Sequence, residues 1–486
     1  MSASPQPDRQ DAGGPVRRRV VFAGGAAVGA AAAGVATATP ASASSFAIMS
    51  GMENKAASTG AAKNAGQAQA QSKTQPQARV RFDRWTTWSD FRSGESAGAL
   101  PLPGPRLGVV IAEPVGTTSY TDPYLNTTTQ YEYATWTSPS RSLDFGATQL
   151  TPHWNAETPK GTFLKVELLA TMEDGHLDTW VMGIWTLDDS ELNRTSVNGQ
   201  SSAYGEIDTD TWSAASGHSM RSYQLRLTLL RRPGAAITPR VWQLGATASI
   251  VPARTTVPAS TPGPATGITL AVKPYAQYVH DGQYPEFGGG GEAWCSPTST
   301  EMVVEFWGKG PTAEQLAWVD PGYTDPAVDH AARYSYDYGY KGTGNWSFTC
   351  AYAASYGLDA MVVRLNSMTE LEVLIAAGFP VITSQSFTLA ENGRYASAGH
   401  LWCVIGFTDA GDVIVNDPAS KSDADVYTVY PRRMFETVWL RTNYTKADGT
   451  PGYGSGGVAY LIKPHDRALP EVVDRQNPSW PTEHWG

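Results

Sequence analysis

Three residues in this chain have types and an order that suit acyl chemistry. Cys295 lies in GGGGEAWCSPTS (288–299), between a glycine run and the expected start of a helix. His400 opens the apolar run HLWCVIGF (400–407), and Asp417 closes the next one, DVIVNDP (412–418). A cysteine attacks as its thiolate, a form favoured by a helix N-terminus and by a neighbouring imidazolium. An imidazole held at a strand end can take up and return protons. A carboxylate beside it can fix the ring tautomer and stabilise the imidazolium. Together these are the parts of a cysteine hydrolase.

Whether His400 and Asp417 meet depends on the hairpin around TDAG. A loop with an even number of residues pairs positions whose numbers sum to an odd value, as 400 and 417 do, so the two share a face of the sheet. They are opposite with a two-residue loop and diagonal with four. The alternative role for Asp417 is to cap the turn before Pro418. A tetrahedral intermediate also needs donors for its oxyanion. The Cys295 N–H is one candidate, and the amide of either Gln277 or Gln283 is the other.

The elements that must carry these residues follow from pattern. Helices are expected over 296–307, 345–356 and 368–377, each ended by glycine, with strands over 380–387, 400–407 and 412–418. Helices ahead of a run of strands make residues 268–464 an α+β domain. Residues 79–252 read instead as short alternating strands, such as 161–171, 177–187 and 222–232, which predict an all-β sandwich. The Pro/Thr/Gly-rich stretch 253–267 is the linker, and 465–486 is a tail. In the sandwich, His153, His176 and His218 read as surface or hydrogen-bonded histidines, and Asp208 and Asp210 as a solvated turn.

The chain has 486 residues and a formal net charge of −10, with no Lys/Arg stripe, which argues against nucleic-acid binding. Its one dense basic cluster, Arg17 to Arg19, precedes an Ala/Gly-rich stretch and the small residues Ala41-Ser42-Ala43. This predicts a twin-arginine signal peptide over 1–43, followed by a low-complexity spacer over 44–78. The expected product is secreted or held in the cell envelope, with no permanent membrane span. Cys350 and Cys403 read as buried thiols, a disulfide between them being the alternative. Dispersed histidines predict no metal, and the absence of a phosphate loop predicts no cofactor.

The segment PYAQYVHDGQYPEFGGGGEAWCSPTSTEMVVEFW (274–307), then LEVLIAAGFPVITSQSF (371–387), GHLWCVIGF (399–407) and VNDPAS (415–420), resembles the C39-like peptidases of the papain-like superfamily. The resemblance implies a papain-like domain with Cys295 as nucleophile, His400 as general base and acid, Asp417 as the orienting residue and Gln277 as the oxyanion amide. Two departures stand out: Ser296 replaces the glycine that commonly follows the nucleophile, and Gln277 precedes Cys295 by more than the usual gap. The sandwich resembles an accessory module found beside such domains in exported actinobacterial proteins. The substrate class implied is a peptide, or peptidoglycan cleaved by an amidase or endopeptidase with the sandwich touching glycan. Acyl transfer to an amine would use the same trio. A non-catalytic binding protein on a papain-like scaffold is the reading of a different class.

Overall fold

The computed structural model describes residues 78–470. The predicted signal peptide, nearly all of the spacer and most of the tail lie outside the described residues. The chain is multidomain, with a mostly β region followed by a mixed α/β region.

From Arg79 to Ile250 the chain forms two antiparallel seven-stranded sheets. Long strands with alternating burial, such as Thr162–Met172 and Met220–Arg231, lie in one sheet, and Arg79–Trp85, Gln149–Glu157 and Arg240–Ile250 lie in the other. The sheets share one core rich in tryptophan, with Trp85 edge-on to Trp136 across it. Edge-to-face aromatic packing of this kind adds to the burial term.

The strand Gln149–Glu157 is buried on both faces rather than one. Its second face meets the helix Trp346–Ala354 and the strand Leu358–Arg364 of the following region. Phe348, Ala351 and Tyr352 of that helix belong to the same core as Trp154 and Trp185. Asn155 ties the contact by donating to the carbonyl of Ala360 (2.8 Å) and accepting from its N–H (3.1 Å). The two regions therefore share a core.

That contact corrects two sequence expectations. His153 is neither on the surface nor hydrogen-bonded: it is fully buried and stacks on Phe82 at 5.4 Å, and neither ring nitrogen has a partner among the described residues. Burial, with the Arg84 charge, pushes its imidazole down to about 3 and keeps it neutral. Asp210 is not solvated either. It is buried and accepts from the Trp346 N–H (2.5 Å), capping the helix Trp346–Ala354 from the other region. Chiefly through burial, its carboxyl rises to about 7. A hairpin tip that docks on a helix end is invisible to local turn chemistry. His218 does have a partner, Glu173 Oε1 at 2.7 Å.

The second region is built on a six-stranded antiparallel sheet. Its order is Leu358–Arg364, Val458–Pro464, Val381–Phe387, Ser397–Phe407, Val413–Asn416, Tyr427–Tyr430. The helix Cys295–Phe306 packs on Ser397–Phe407, and Met368–Ala376 and Arg432–Leu440 pack with the sheet on a second core. The helices over 295–306, 346–354 and 368–376 fall where the sequence placed them. Pro326–Ser335 and Arg432–Leu440 were not anticipated, nor were the strands Leu358–Arg364 and Val458–Pro464. The helices are thus interleaved with strands rather than gathered ahead of them. Residues 253–267 cross between the regions under restraint: Arg432 Nη2 donates to the Thr261 carbonyl (2.9 Å), and the Gly263 N–H donates to Glu372 (2.7 Å). Among the described residues no helix is long and apolar enough to cross a membrane, which says nothing of strands.

Candidate active site

Cys295 is the first residue of its helix, partly exposed, behind the turn Gly291–Ala293. Cys350 and Cys403 are free and fully buried, so the chain carries no disulfide among its described residues. Burial drives both of those thiols far up, Cys350 with a contribution from the Asp210 charge, and makes them inert.

His400 and Asp417 do meet. His400 Nε2 lies 3.0 Å from Asp417 Oδ1, and the imidazole lies within electrostatic range of the Cys295 side chain. Since Nε2 is taken by the carboxylate, Nδ1 is the nitrogen left for proton transfer.

The way they meet differs from the simple hairpin. Five residues, 408–412, separate the paired positions Phe407 and Val413, so the loop is odd-numbered. By that register alone, His400 and Asp417 would fall on opposite faces. A bulge between Val404 and Gly406 shifts the pairing by one, so that Cys403 faces Asn416 and the parity is restored. Gly406 is what permits it. A Cβ there would lie 2.2 Å from the Ile268 carbonyl oxygen, because the segment 268–270 crosses the bulge closely, with the Leu270 N–H donating to the Ile405 carbonyl (2.7 Å). His400 and Asp417 end up diagonal on one face.

Asp417 is fully buried and its oxygens are saturated. Oδ1 accepts from His400, from the Ala419 N–H (3.0 Å) and from the Tyr395 hydroxyl (2.9 Å). Oδ2 accepts from the Tyr430 hydroxyl (2.7 Å) and from Arg394 Nη1 (3.2 Å). Burial alone would raise this carboxyl; the bond and charge of His400 and the two tyrosine hydroxyls reverse that and hold it below the usual range. For His400 burial acts downward, but the Cys295 charge, hydrogen bonds to Asp417 and Cys295, and the Asp417 charge raise the imidazole to about 9. Edge contacts to Tyr395 (5.4 Å) and Trp402 (6.2 Å) hold the ring. Arg394, Tyr395 and Tyr430 were missed from sequence. They reach Asp417 from a loop and from the outermost strand, and no local spacing signals that.

Of the two glutamines, Gln277 is built into the site. Its Nε2 donates to the Glu292 carbonyl (2.9 Å), three residues before Cys295, and its backbone N–H donates to the Pro418 carbonyl (2.8 Å), next to Asp417. Gly291 allows this approach, since a Cβ there would sit 2.2 Å from the Gln277 carbonyl oxygen. Behind it, His280 Nδ1 lies 3.2 Å from Asp329 Oδ2, both fully buried, fastening the turn Gln277–His280 to the helix Pro326–Ser335. Gln283 spends its amide within its own turn, on the Val279 carbonyl (3.2 Å) and on His280 Nδ1 (3.1 Å). Among the described residues no group of three His, Cys, Asp or Glu side chains is placed to hold a metal.

Comparison with known proteins adds a family. Residues 269–447 match the Peptidase_C39 like family, and residues 81–249 match the Peptidase C39 N-terminal domain. No curated protein matches the chain. Among solved structures, accessory secretory protein 1, 2 and 3 of Streptococcus pneumoniae aligns at 11% identity over 34% of this chain and 95% of that one, with a TM-score of 0.18. The Glycosylation Associate Protein (Gap123) complex of Streptococcus agalactiae aligns at 11% identity over 37% of this chain and 48% of that one, with a TM-score of 0.16. Likenesses that slight carry no argument.

Proposed function

The chain carries a C39-like peptidase domain behind the N-terminal domain of that family, and on that premise we propose that it is a cysteine hydrolase of peptide or amide bonds on a papain-like scaffold. The observation that carries the reading is the position of His400, bonded to the saturated, buried Asp417 and within electrostatic range of the Cys295 side chain. Cys295 is the nucleophile, His400 the acid and base, and Asp417 the group that orients the ring.

The steps follow from that placement. The Cys295 sulfur adds to the carbonyl carbon, and the oxygen gains the negative charge. The Cys295 N–H, at a helix start where the N–H groups lack partners within the helix, and the second hydrogen of the Gln277 amide are the donors for it. As the C–N bond breaks, the proton on His400 Nδ1 passes to the leaving amine. Water then loses a proton to Nδ1 and attacks the thioacyl carbon, and the sulfur leaves. Throughout, the Nε2–H donates to Asp417, which keeps Nδ1 aimed at the reacting atoms. The proposal includes export through the twin arginine of residues 17–19.

Alkylation by iodoacetamide, followed by peptide mapping, tests it. At about pH 6, where an ordinary thiol is almost wholly protonated, Cys295 should react and Cys350 and Cys403 should not, and His400→Ala should slow Cys295 by ~10-fold or more. Equal, slow alkylation of Cys295 in both proteins would sink the hydrolase reading and leave the scaffold reading.

A further inference from the structure

The side of the site away from Asp417 is bordered by a loop, residues 337–343, that leads into the helix Trp346–Ala354. That helix lies against Leu358–Arg364 at one edge of the sheet, whereas Asp417 follows Val413–Asn416 next to the other. The loop touches the approach to Cys295 at two points. Thr343 Oγ1 donates to the Ala293 carbonyl (3.3 Å), two residues before Cys295. Gly342 meets the glycine run, where a Cβ on Gly288 would lie 3.4 Å from Gly342 Cα. The Tyr340 ring packs on Gly342, where a Cβ would lie 2.7 Å from it, and is within electrostatic range of Cys295. Tyr340 is partly exposed, and its hydroxyl has no partner among the described residues. Burial, then the charges of Cys295 and Asp210, drive its phenol up and keep it a donor.

The shape of this loop is set from the two-sheet region. Asp337 is fully buried, and its Oδ1 accepts from the N–H groups of Gly339 (2.9 Å) and Tyr340 (3.2 Å), which wraps the loop around the carboxylate. The same oxygen accepts from the Ser196 N–H (2.9 Å), and Oδ2 accepts from Asn345 Nδ2 (2.9 Å). Asn198 Nδ2 donates to the Gly339 carbonyl (2.8 Å), and the Tyr338 N–H donates to the Arg194 carbonyl (3.3 Å). The Tyr338 ring packs on Tyr124 at 5.5 Å. Gly339 allows the approach, since a Cβ there would lie 2.6 Å from the Ser196 carbonyl oxygen. Residues 194–198 of one region therefore fix where Tyr340 of the other stands. A buried carboxylate cannot give up such donors cheaply, so the loop is held rather than merely touched.

We propose that Tyr340 is a further substrate-binding residue of this site, its hydroxyl donating to an oxygen of the bound acyl group, and that residues 194–198 of the two-sheet region are the positioning element that holds it beside Cys295. The inference rests on the hydrolase reading for the identity of the bound group. A phenol whose ring is packed and whose hydroxyl is free is preorganised for that bond, because little side-chain freedom is left to lose. The two-sheet region is then a part of the active site rather than an appendage to it.

The test compares two alkylators of Cys295 in the full chain: iodoacetamide, which reports the thiolate, and acetyl-alanyl-alanyl chloromethyl ketone, which also carries acyl oxygens to be held. The quantity read is the ratio of the ketone rate to the iodoacetamide rate. Tyr340→Phe keeps the ring and should lower that ratio by ~3-fold or more. Asn198→Ala removes an exposed tie to the loop and should lower it too, and the double variant should fall no further than Tyr340→Phe alone. A purely structural role would not show that coupling. An unchanged ratio in Tyr340→Phe would overturn the contact. A parental ratio in Asn198→Ala, or losses that simply multiply in the double variant, would overturn the positioning role. Measured at about pH 9, where an ordinary thiol is also largely ionised, the ratio is readable whatever the state of Cys295. Iodoacetamide reactivity at about pH 6 judges the hydrolase reading separately. A reactive Cys295 with an unchanged ratio keeps the hydrolase and sinks Tyr340, and an ordinary Cys295 with a lowered ratio does the reverse.

Discussion

Replacing Asp417 with Asn isolates how much of the site rests on one buried charge. His400 stands at about 9 against an ordinary 6.5, a preference for the imidazolium of about 3 kcal/mol after burial has been overcome. Cys295 and Asp417 each supply a charge and a hydrogen bond to that balance. Asp417→Asn therefore removes one of the two charges that favour the imidazolium and should lower its population by about tenfold. The Asn carbonyl can still accept from Nε2, but its amide then faces the Tyr430 hydroxyl and Arg394 Nη1, and the guanidinium keeps only hydroxyl acceptors, on Thr428, Tyr430 and Ser420. Because the folded His400 value lies above the unfolded one, its contribution to stability is complete below about 6.5 and is lost as pH rises through about 9. In Asp417→Asn that loss should shrink and move to lower pH. Two assays read it: the iodoacetamide rate of Cys295 against pH, and the thermal midpoint against pH. A variant whose two profiles superimpose on those of the parent would refute the assignment of Asp417 as the group that charges and orients His400.

Other substitutions test the parts around the trio. Gly406→Ala drives a methyl into the Ile268 carbonyl, 2.2 Å away, and should cost about 1–3 kcal/mol in denaturant unfolding while slowing Cys295 alkylation through the shifted register. Asp210 titrates at about 7 when folded against 3.8, so its contribution is full below about 3.8 and is lost as pH rises through about 7. Asp210→Asn keeps an acceptor for the Trp346 N–H and should flatten the fall in thermal midpoint over that window. A chain of residues 268–470 alone would expose Phe348, which packs on Trp185 at 5.3 Å and Trp154 at 6.0 Å, and should show no cooperative melt by near-ultraviolet circular dichroism. A sharp transition there would show that the two-sheet region is dispensable for folding.

The sequence by itself placed the chemistry on the right kinds of element. Cys295 opens a helix because a glycine turn precedes it and a run of helix-compatible residues with Pro297 in its first turn follows. His400 lies in an apolar strand because the alternation and the β-branched residues are local. Such signals act over a few residues, so one chain suffices to read them. The missed helix Arg432–Leu440 shows the limit: it starts right after Pro431 with no side-chain cap, and its inner face is set by the sheet it covers.

What tertiary structure alone decided is who touches whom. The parity that puts His400 beside Asp417 depends on a bulge held by a segment some 135 residues earlier in the chain, at Ile268 to Leu270. The placement of Gln277 comes from two carbonyls, at Glu292 and Pro418, that approach from different parts of the chain. The tyrosines and the arginine around Asp417, and the burial of His153 and Asp210, likewise come from surfaces that meet only on folding. Strand and helix propensities are fixed by neighbours in sequence, whereas register, burial and the charge state of a buried group are fixed by neighbours in space.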